Sequence, residues 1–123
     1  MKRCMFVDHS SVIRKVAKRI LGGGPEMVVV EAETGAGALE MCAVEMPDVI
    51  VVDSTLPDMQ TVEFIRSVRS IENAVMPQIL ISLVEVDIGA IMRAKRAGAQ
   101  GYMLKPFNRA QLIERFRTLD MAA

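Results

Sequence analysis

Short apolar runs alternate along this chain with longer stretches in which apolar residues recur at every third or fourth position. A short run of β-branched residues is typical of a parallel strand that is buried on both faces, whereas the longer spacing is typical of an amphipathic helix. The predicted strands cover residues 3–7, 27–30, 49–53, 78–82 and 101–104. A helical pattern follows each of them, so the sequence predicts five strand–helix pairs.

The helical stretches also predict where the helices begin and end. Ser10 or Ser11 is expected to cap the first helix, and Arg14 lies off its apolar face, on the solvated surface or at a partner contact. Pro47 is expected to end the second helix and Gly98 the fourth. The residues that trace the helices are Val12, Ile13, Val16, Ala17, Ile20 and Leu21; Ala38, Leu39, Cys42 and Met46; Val62, Ile65 and Val68; Ile88, Ile91, Met92 and Lys95; and Leu112, Ile113, Phe116 and Leu119.

This strict alternation of strands and helices predicts one α/β domain over residues 1–123. Parallel strands joined by helices require right-handed crossovers, which place helices on both faces of a parallel sheet. The length is sufficient to bury roughly two-thirds of the surface of the unfolded chain without disulfides or metals. Linkers, internal repeats and low-complexity stretches are not apparent in the sequence.

Composition narrows the classes of partner and the location. The chain has 15 basic and 15 acidic residues, so its net charge favours neither nucleic acid nor an anionic membrane as a partner. No apolar run approaches the roughly 20 residues of a membrane span, and no secretory signal precedes the first strand. We therefore expect a cytoplasmic protein. Cys4 and Cys42 occupy predicted core positions and are expected to be reduced.

Chemically reactive side chains stand where four of the predicted strands end. Asp8 follows the first strand, Asp53 ends the third, Ser82 ends the fourth and Lys105 follows the fifth. Because parallel strands share one carboxyl edge, these residues are expected to converge there. Two carboxylates repel each other unless a cation lies between them, and Mg²⁺ prefers oxygen ligands. Lysine and serine suit phosphoryl oxygens, so the group predicts a phosphoryl site on or near Asp53.

These residues resemble the receiver domain of two-component response regulators. The resemblance covers essentially the whole chain, through the acid at Asp8, DSTLPDM around Asp53, ILIS ending at Ser82, and AGAQGYMLKPF over residues 97–107. It implies a flavodoxin-like, doubly wound, five-stranded parallel sheet of order 2-1-3-4-5, with five helices in a three-layer sandwich. It also implies a cis bond between Lys105 and Pro106.

The resemblance implies the roles of the site residues. Asp53 accepts phosphoryl from a phosphohistidine, and Asp8, Asp53 and the backbone carbonyl of Thr55 hold Mg²⁺ or Mn²⁺. Ser82 and Lys105 contact the phosphoryl oxygens. Tyr102 resembles an aromatic switch residue that turns inward when Ser82 moves, although a half-buried strand aromatic would give the same pattern.

The implied partners are a sensor histidine kinase or histidine phosphotransfer protein, and a downstream protein. The downstream protein is expected to bind the fourth helix, the fifth strand and the last helix. The chain would then be a phosphoacceptor that promotes only its own phosphorylation and dephosphorylation, and not an enzyme.

His9 departs from the family pattern, since relatives usually carry a metal-ligating acid at this position. Imidazole is a poor ligand for Mg²⁺ and prefers softer transition metals. Three readings follow: a weakened but working magnesium site, a changed metal preference, or a loop residue that does not take part.

Three further departures concern the loops around the phosphoacceptor. Thr61 replaces a glycine that often serves a special backbone geometry, so we expect a loop of different shape. Leu83 replaces a small residue and is expected to narrow the access path to Asp53. Thr55 and Val84 stand where acids or amides in relatives orient the hydrolytic water, so we expect slow self-dephosphorylation.

Two other classes of function, and less well a third, also fit parts of this sequence. A degenerate receiver would keep the fold and bind partners without phosphorylation, which His9, Thr61 and Leu83 make credible. A phosphatase that uses Asp53 as its nucleophile is a further alternative, but many such enzymes carry a second acid at the position of Thr55. A nucleotide-binding domain fits less well, because Asp8 is not followed by a glycine-rich turn.

Overall fold

A computed structural model gives the structure of the chain, and it describes residues 2–122, with side chains over residues 2–117. Ten elements alternate along it: β1 (Lys2–Val7), α1 (Ser11–Leu21), β2 (Met27–Ala32), α2 (Gly35–Val44), β3 (Val49–Asp53), α3 (Thr61–Ser70), β4 (Gln78–Leu83), α4 (Ile88–Ala97), β5 (Gly101–Leu104) and α5 (Arg109–Ala122). The prediction of five strand–helix pairs is confirmed. The predicted packing of Leu119 lies outside the described side chains.

The five strands form one parallel sheet in the order β2-β1-β3-β4-β5. The predicted flavodoxin-like order is therefore confirmed. Side chains on the central strands point alternately to the two faces of the sheet, which explains their nearly continuous apolar sequence. Ile50 and Val52 on β3 contribute to the core on one face, and Val49 and Val51 contribute to the core on the other.

Each face of the sheet is covered by its own set of helices. Buried residues of α2, α3 and α4, such as Cys42, Phe64 and Ile91, pack on one face. Buried residues of α1 and α5, such as Ala17 and Leu112, pack on the other. The result is the predicted three-layer sandwich, in which the connecting loops emerge at the two edges of the sheet.

Helix ends follow local capping more closely than they follow the apolar pattern. The side chain of Ser10 accepts a hydrogen bond from the backbone of Ile13, so Ser10, and not Ser11, caps α1. Gly98 ends α4 with a φ of 123°, a conformation that favours glycine. The helix α2 ends at Val44 and not at Pro47, and Met46 is buried beyond the end of the helix.

Four apolar residues predicted to face inward are exposed instead. Val12 is 67% exposed in the first turn of α1, Ile88 and Met92 are exposed on α4, and Ile113 is exposed on α5. Val12 and Ile88 lie at helix N-termini, above the carboxyl edge of the sheet, where no neighbouring layer covers them. The apolar period therefore overestimated the buried face at these helix starts.

Both cysteines are buried free thiols, as predicted. Burial raises the pKa of the Cys4 thiol, with a further contribution from the charge of Asp48. Burial also raises the pKa of Cys42, to about 11. Over the part of the chain that the structure describes, no helix combines the length and apolar character needed to cross a bilayer.

Candidate functional site

Strand alternation brings four predicted site residues to one corner of the molecule. Asp53 pairs in register with Ser82 across β3 and β4, and Asp8 and Lys105 directly follow β1 and β5. Each lies two positions after a core residue of the face covered by α1 and α5: Phe6, Val51, Leu80 and Met103. Because strand side chains alternate, the four side chains are directed toward this same face at the carboxyl edge of the sheet.

Lys105 occupies the centre of this corner. Its Nζ lies 3.0 Å from Asp8 Oδ2 and 3.1 Å from Asp53 Oδ1. Desolvation lowers the pKa of Lys105, but hydrogen bonds and charges from Asp8 and Asp53 outweigh it and hold the pKa above its ordinary value. The lysine is therefore charged at neutral pH. The Lys105–Pro106 peptide bond is cis, as the resemblance implied.

Asp8 is buried and held by its own loop. Its Oδ1 accepts a hydrogen bond of 2.8 Å from the backbone N–H of Ser10, which leaves Oδ2 for Lys105. Arg14 donates to the backbone carbonyl of Asp8 at 2.6 Å and pairs with Glu31 at 3.1 Å. Arg14 was expected on the solvated surface or at a partner contact. It is instead partly buried, and its contacts hold the loop between β1 and α1 in place.

The phosphoacceptor candidate Asp53 is held through its backbone. Thr61 Oγ1 donates a hydrogen bond of 2.8 Å to the carbonyl of Asp53. The N–H of Ser54, which belongs to the same peptide unit, donates to the carbonyl of Ser82 at 2.9 Å. The Asp53 carboxylate also accepts a bond of 3.2 Å from the N–H of Thr55. The side chain of Asp53 thus projects from a peptide unit that is fixed on both sides.

Thr61 does not require the conformational freedom of glycine. It is the first residue of α3 and is 8% exposed. Among the residues that the structure describes, positive φ occurs at Gly98 alone. Sequence reasoning anticipated an altered loop at Thr61 but missed the bond from its hydroxyl to Asp53, for which the sequence contains no local signal.

Asp58 ties the loop after Asp53 to a distant helix. Its two carboxylate oxygens accept hydrogen bonds of 2.9 Å from the N–H groups of Gly35 and Ala36, at the start of α2. These bonds, with that from Ala36 the larger contribution, lower the pKa of Asp58. The side chain of Met59 covers Gly35, where a Cβ would lie 2.7 Å from its Sδ. Sequence reasoning missed this contact as well.

His9 lies beside the corner and does not face into it. Its side chain is 69% exposed, and its Nδ1 lies 3.9 Å from Glu33 Oε1. Within the described residues, no three acidic, histidine or cysteine side chains gather closely enough to form a metal cluster. The corner therefore offers two carboxylates, of Asp8 and Asp53, to one ammonium group.

The donor chemistry of this corner fits a hard divalent cation. Carboxylate oxygens of Asp8 and Asp53 stand together, and their combined charge exceeds that of Lys105 by one negative unit. Thr55, whose backbone carbonyl is the third ligand implied by the resemblance, lies exposed two residues after Asp53. Mg²⁺ prefers oxygen ligands of this type and often uses one or two carboxylates.

The prediction that Leu83 narrows the access path to Asp53 is wrong. The strand β4 continues one residue beyond Ser82, and alternation turns Leu83 to the face covered by α2, α3 and α4. It is buried in that core. Ser82 is also buried, at the position in register with Asp53. Val84, the next residue, is exposed.

Tyr102 lies on β5 at a position that alternates with Met103, on the outer side of the site. Its side chain is 38% exposed. It borders a groove of about 300 Å³ between β5 and α5, which is also lined by Leu104, Phe107 and Arg115. The tyrosine is therefore accessible to a partner at the β5 edge of the sheet.

Comparison with known proteins gives a consistent result. The sequence profile described as the response regulator receiver domain matches residues 4–117. The Bacillus subtilis chemotaxis protein CheY is 29% identical over 91% of this chain and 92% of its own length. A Nocardioides protein-glutamate methylesterase/protein-glutamine glutaminase is 36% identical over 86% of this chain, which spans only 29% of that protein. The crystal structure of Vibrio cholerae CheY4 superposes with a TM-score of 0.88 at 29% identity, covering 96% of this chain and 98% of that one.

Proposed function

This chain belongs to the response regulator receiver domain family, and we propose on that premise that Asp53 accepts a phosphoryl group from a phosphohistidine and thereby switches partner binding. The observation that best supports this is the contact of one lysine, Lys105, with the two carboxylates of Asp8 and Asp53. A lysine between two acids at a sheet edge is suited to receive a phosphoryl oxygen. The chain would promote only its own phosphorylation and dephosphorylation.

In the transfer, a carboxylate oxygen of Asp53 attacks the phosphorus atom of the donor. A P–O bond to Asp53 forms as the P–N bond breaks, and the donor imidazole keeps the electron pair of the broken bond. Lys105 Nζ then pairs with a phosphoryl oxygen in place of Asp53 Oδ1. The Ser82 hydroxyl donates to a second phosphoryl oxygen, from the strand that is in register with Asp53.

Receiver domains generally bind Mg²⁺ for phosphorylation. The residues that would hold it here are Asp8 and Asp53 through their carboxylates and Thr55 through its carbonyl, and Mn²⁺ suits the same ligands. When bound, the cation supplies positive charge that offsets the charge of the phosphoryl oxygens. The exposed position of His9 supports a magnesium site that lacks one carboxylate and binds more weakly.

The added charge must favour a second conformation of the domain to carry a signal. An aspartyl phosphate adds about −1.5 to −2 charges. Shifting a two-state equilibrium from 1:99 to 99:1 needs about 5.5 kcal/mol of differential stabilisation, which a few charge-assisted contacts can supply. The Ser82 end of β4 and Tyr102 on β5 are the elements we expect to respond.

Receiver domains interact with histidine kinases or histidine phosphotransfer proteins. We assign the downstream partner to the surface formed by α4, β5 and α5. It carries the groove beside Tyr102 and exposed apolar residues such as Met92 and Leu104. Exposed cations of α4, namely Arg93, Lys95 and Arg96, border it, so an acidic partner segment complements this surface.

A receiver that binds its partner without phosphorylation is the second candidate. The exposed His9, in the position of a missing acid, is the observation that favours it. In that case the groove beside Tyr102 would bind its partner equally well whether or not Asp53 is modified.

The two candidates differ in their response to beryllofluoride, which mimics a phosphoryl group without a covalent bond. We expect bound ¹⁹F signals in the presence of Mg²⁺, together with amide shifts at the end of β4 and on β5. Asp53→Ala should abolish both. Absence of bound fluoride and of amide shifts in a folded wild-type sample would overturn the phosphorylation switch and favour the phosphorylation-independent module.

A further inference from the structure

We propose that Thr61 is a positioning residue for the phosphoryl transfer, whose hydroxyl fixes the peptide unit that carries Asp53. The inference rests on the proposed function, because it concerns how the phosphoacceptor is held for the reaction. Thr61 Oγ1 donates a 2.8 Å hydrogen bond to the carbonyl of Asp53. This bond joins the first residue of α3 to the last residue of β3 and closes the loop between them.

Both polar groups of the peptide unit between Asp53 and Ser54 are hydrogen-bonded, and these bonds restrain it. Its carbonyl accepts from Thr61, and its N–H, which belongs to Ser54, donates to the carbonyl of Ser82 at 2.9 Å. A planar unit held at both ends has little freedom to rotate. Rotation of this unit would carry the Asp53 carboxylate with it, away from Lys105 at 3.1 Å.

The hydroxyl, and not merely the bulk of the side chain, makes this contact. Thr61 is only 8% exposed, and a buried hydroxyl needs a partner. The preceding residue, Gln60, caps α3 without a side-chain hydrogen bond, so the polar contact at this helix start runs backward to the strand. The Thr61 hydroxyl therefore binds the end of β3 and does not cap α3.

If the Thr61 hydroxyl were removed, no neighbouring group would hold the Asp53 carbonyl as firmly. A small cavity of about 70 Å³ lies beside Thr61 and is also lined by Ser54, Gln60 and Arg93. Water in this space can bond to an exposed carbonyl, but a water molecule does not fix the peptide unit to α3. Removal of the hydroxyl should therefore loosen the phosphoacceptor without unfolding the domain.

The test is the rate of phosphoryl incorporation from phosphoramidate with Mg²⁺, followed by intact mass, in wild type and four variants. Thr61→Val keeps the shape but lacks the hydroxyl, Thr61→Ala removes the hydroxyl without placing a methyl group against the carbonyl, and Thr61→Ser restores the donor. Thr34→Val is the matched control, because Thr34 caps α2 with a comparable 3.0 Å bond and lies outside the site. Urea unfolding of each variant measures its stability.

We expect Thr61→Val and Thr61→Ala to lower the maximal rate on the order of tenfold, since small misplacements of a reacting group are costly. The phosphodonor concentration at half-maximal rate should change little, and Thr61→Ser should remain within about twofold of wild type. Thr34→Val should lose stability and keep its rate.

Each contrary outcome has its own meaning. Wild-type rates in both hydroxyl-free variants would overturn the role of Thr61 and leave the proposed function standing. Equal slowing in Thr61→Ser, or a rate that follows stability and falls in Thr34→Val as well, would also overturn it. Failure of the wild type to incorporate phosphoryl would overturn the proposed function and this inference together.

Discussion

Lys105 and Asp8, which are 97 positions apart in the sequence, meet at 3.0 Å between Nζ and Oδ2. The same Nζ lies 3.1 Å from Asp53 Oδ1, so one ammonium group is shared by two carboxylates. Without Lys105, two acids would face each other in a partly buried corner. The lysine therefore makes this pair of acids compatible with folding, and in the proposed function it would also bind a phosphoryl oxygen.

Lys105→Met should lower the free energy of unfolding by about 1–3 kcal/mol at pH 7, measured by urea titration with a chelator present. The value is smaller than for a fully buried pair because water reaches this corner. Adding Asp53→Asn to Lys105→Met should restore part of the loss, since it removes one of the repelling acids. A double variant that is no more stable than Lys105→Met would contradict this view of the corner.

The effect of Lys105 should depend on pH in a defined direction. Its folded-state pKa lies above 10.5, so its stabilising contribution is fully present at neutral pH and is lost as the pH rises through that folded-state value. The stability difference between wild type and Lys105→Met should therefore shrink in strongly alkaline urea titrations. A difference that stays constant above pH 10.5 would show that the contribution is not electrostatic.

Asp58→Asn should destabilise the domain, because Asp58 joins the loop after Asp53 to the first two amides of α2. Its folded-state pKa is lowered below 3.8, so its contribution is present above pH 3.8 and is lost as the pH falls through the folded-state value. Stability curves of wild type and variant should therefore converge in acid. Glu72→Gln, at an exposed acid outside the helices and strands, is the control and should change little at any pH. Parallel curves for Asp58→Asn would contradict the assignment.

Once formed, the phosphorylated protein should lose its phosphoryl group slowly. Thr55 and Val84, which stand near the end of β3 and beyond β4, are exposed, and neither side chain is an acid or amide that orients water. Thr55→Asn should accelerate hydrolysis about tenfold by orienting the attacking water, whereas the isosteric Thr55→Val should not. Loss of the adduct can be followed by intact mass. A lifetime of only seconds for the wild type would contradict this prediction.

His9→Asp should strengthen Mg²⁺ binding roughly tenfold, because affinity for hard cations rises with the number of carboxylate ligands. The measurement is the Mg²⁺ concentration that gives half-maximal phosphorylation. His9→Asn removes the imidazole without adding charge and should leave this concentration nearly unchanged. Equal effects of the two variants would show that the imidazole itself, and not the missing carboxylate, limits the metal site.

The sequence was sufficient to predict the order of elements and the convergence of Asp8, Asp53 and Lys105. Buried strands and amphipathic helices leave periodic patterns, and parallel strands necessarily share one carboxyl edge. Helix starts were less predictable, because Val12 is apolar but lies above the sheet where no layer covers it. The hydrophobic pattern predicts which face of a helix is buried, but it does not predict where along the helix the neighbouring sheet stops covering that face.

The polar contacts that hold the site residues in place could not be predicted from the pattern of hydrophobic and polar positions. Thr61 reaches the carbonyl of Asp53, and Asp58 reaches the start of α2, across loops whose path depends on the folded structure. A threonine in place of an expected glycine predicted a loop of different shape, but it did not predict the hydrogen bond that the structure shows at that position. Such polar contacts between distant elements are visible only when the backbone path is known.

The measurement that tests the central claim most directly is intact mass after incubation with a small phosphodonor, with and without Mg²⁺, for wild type and Asp53→Asn. We predict a single phosphoryl adduct on the wild type that requires Mg²⁺ and is absent from the variant. An adduct of equal yield on Asp53→Asn, or no adduct on folded wild-type protein with Mg²⁺ present, would contradict the assignment of Asp53 as the phosphoacceptor.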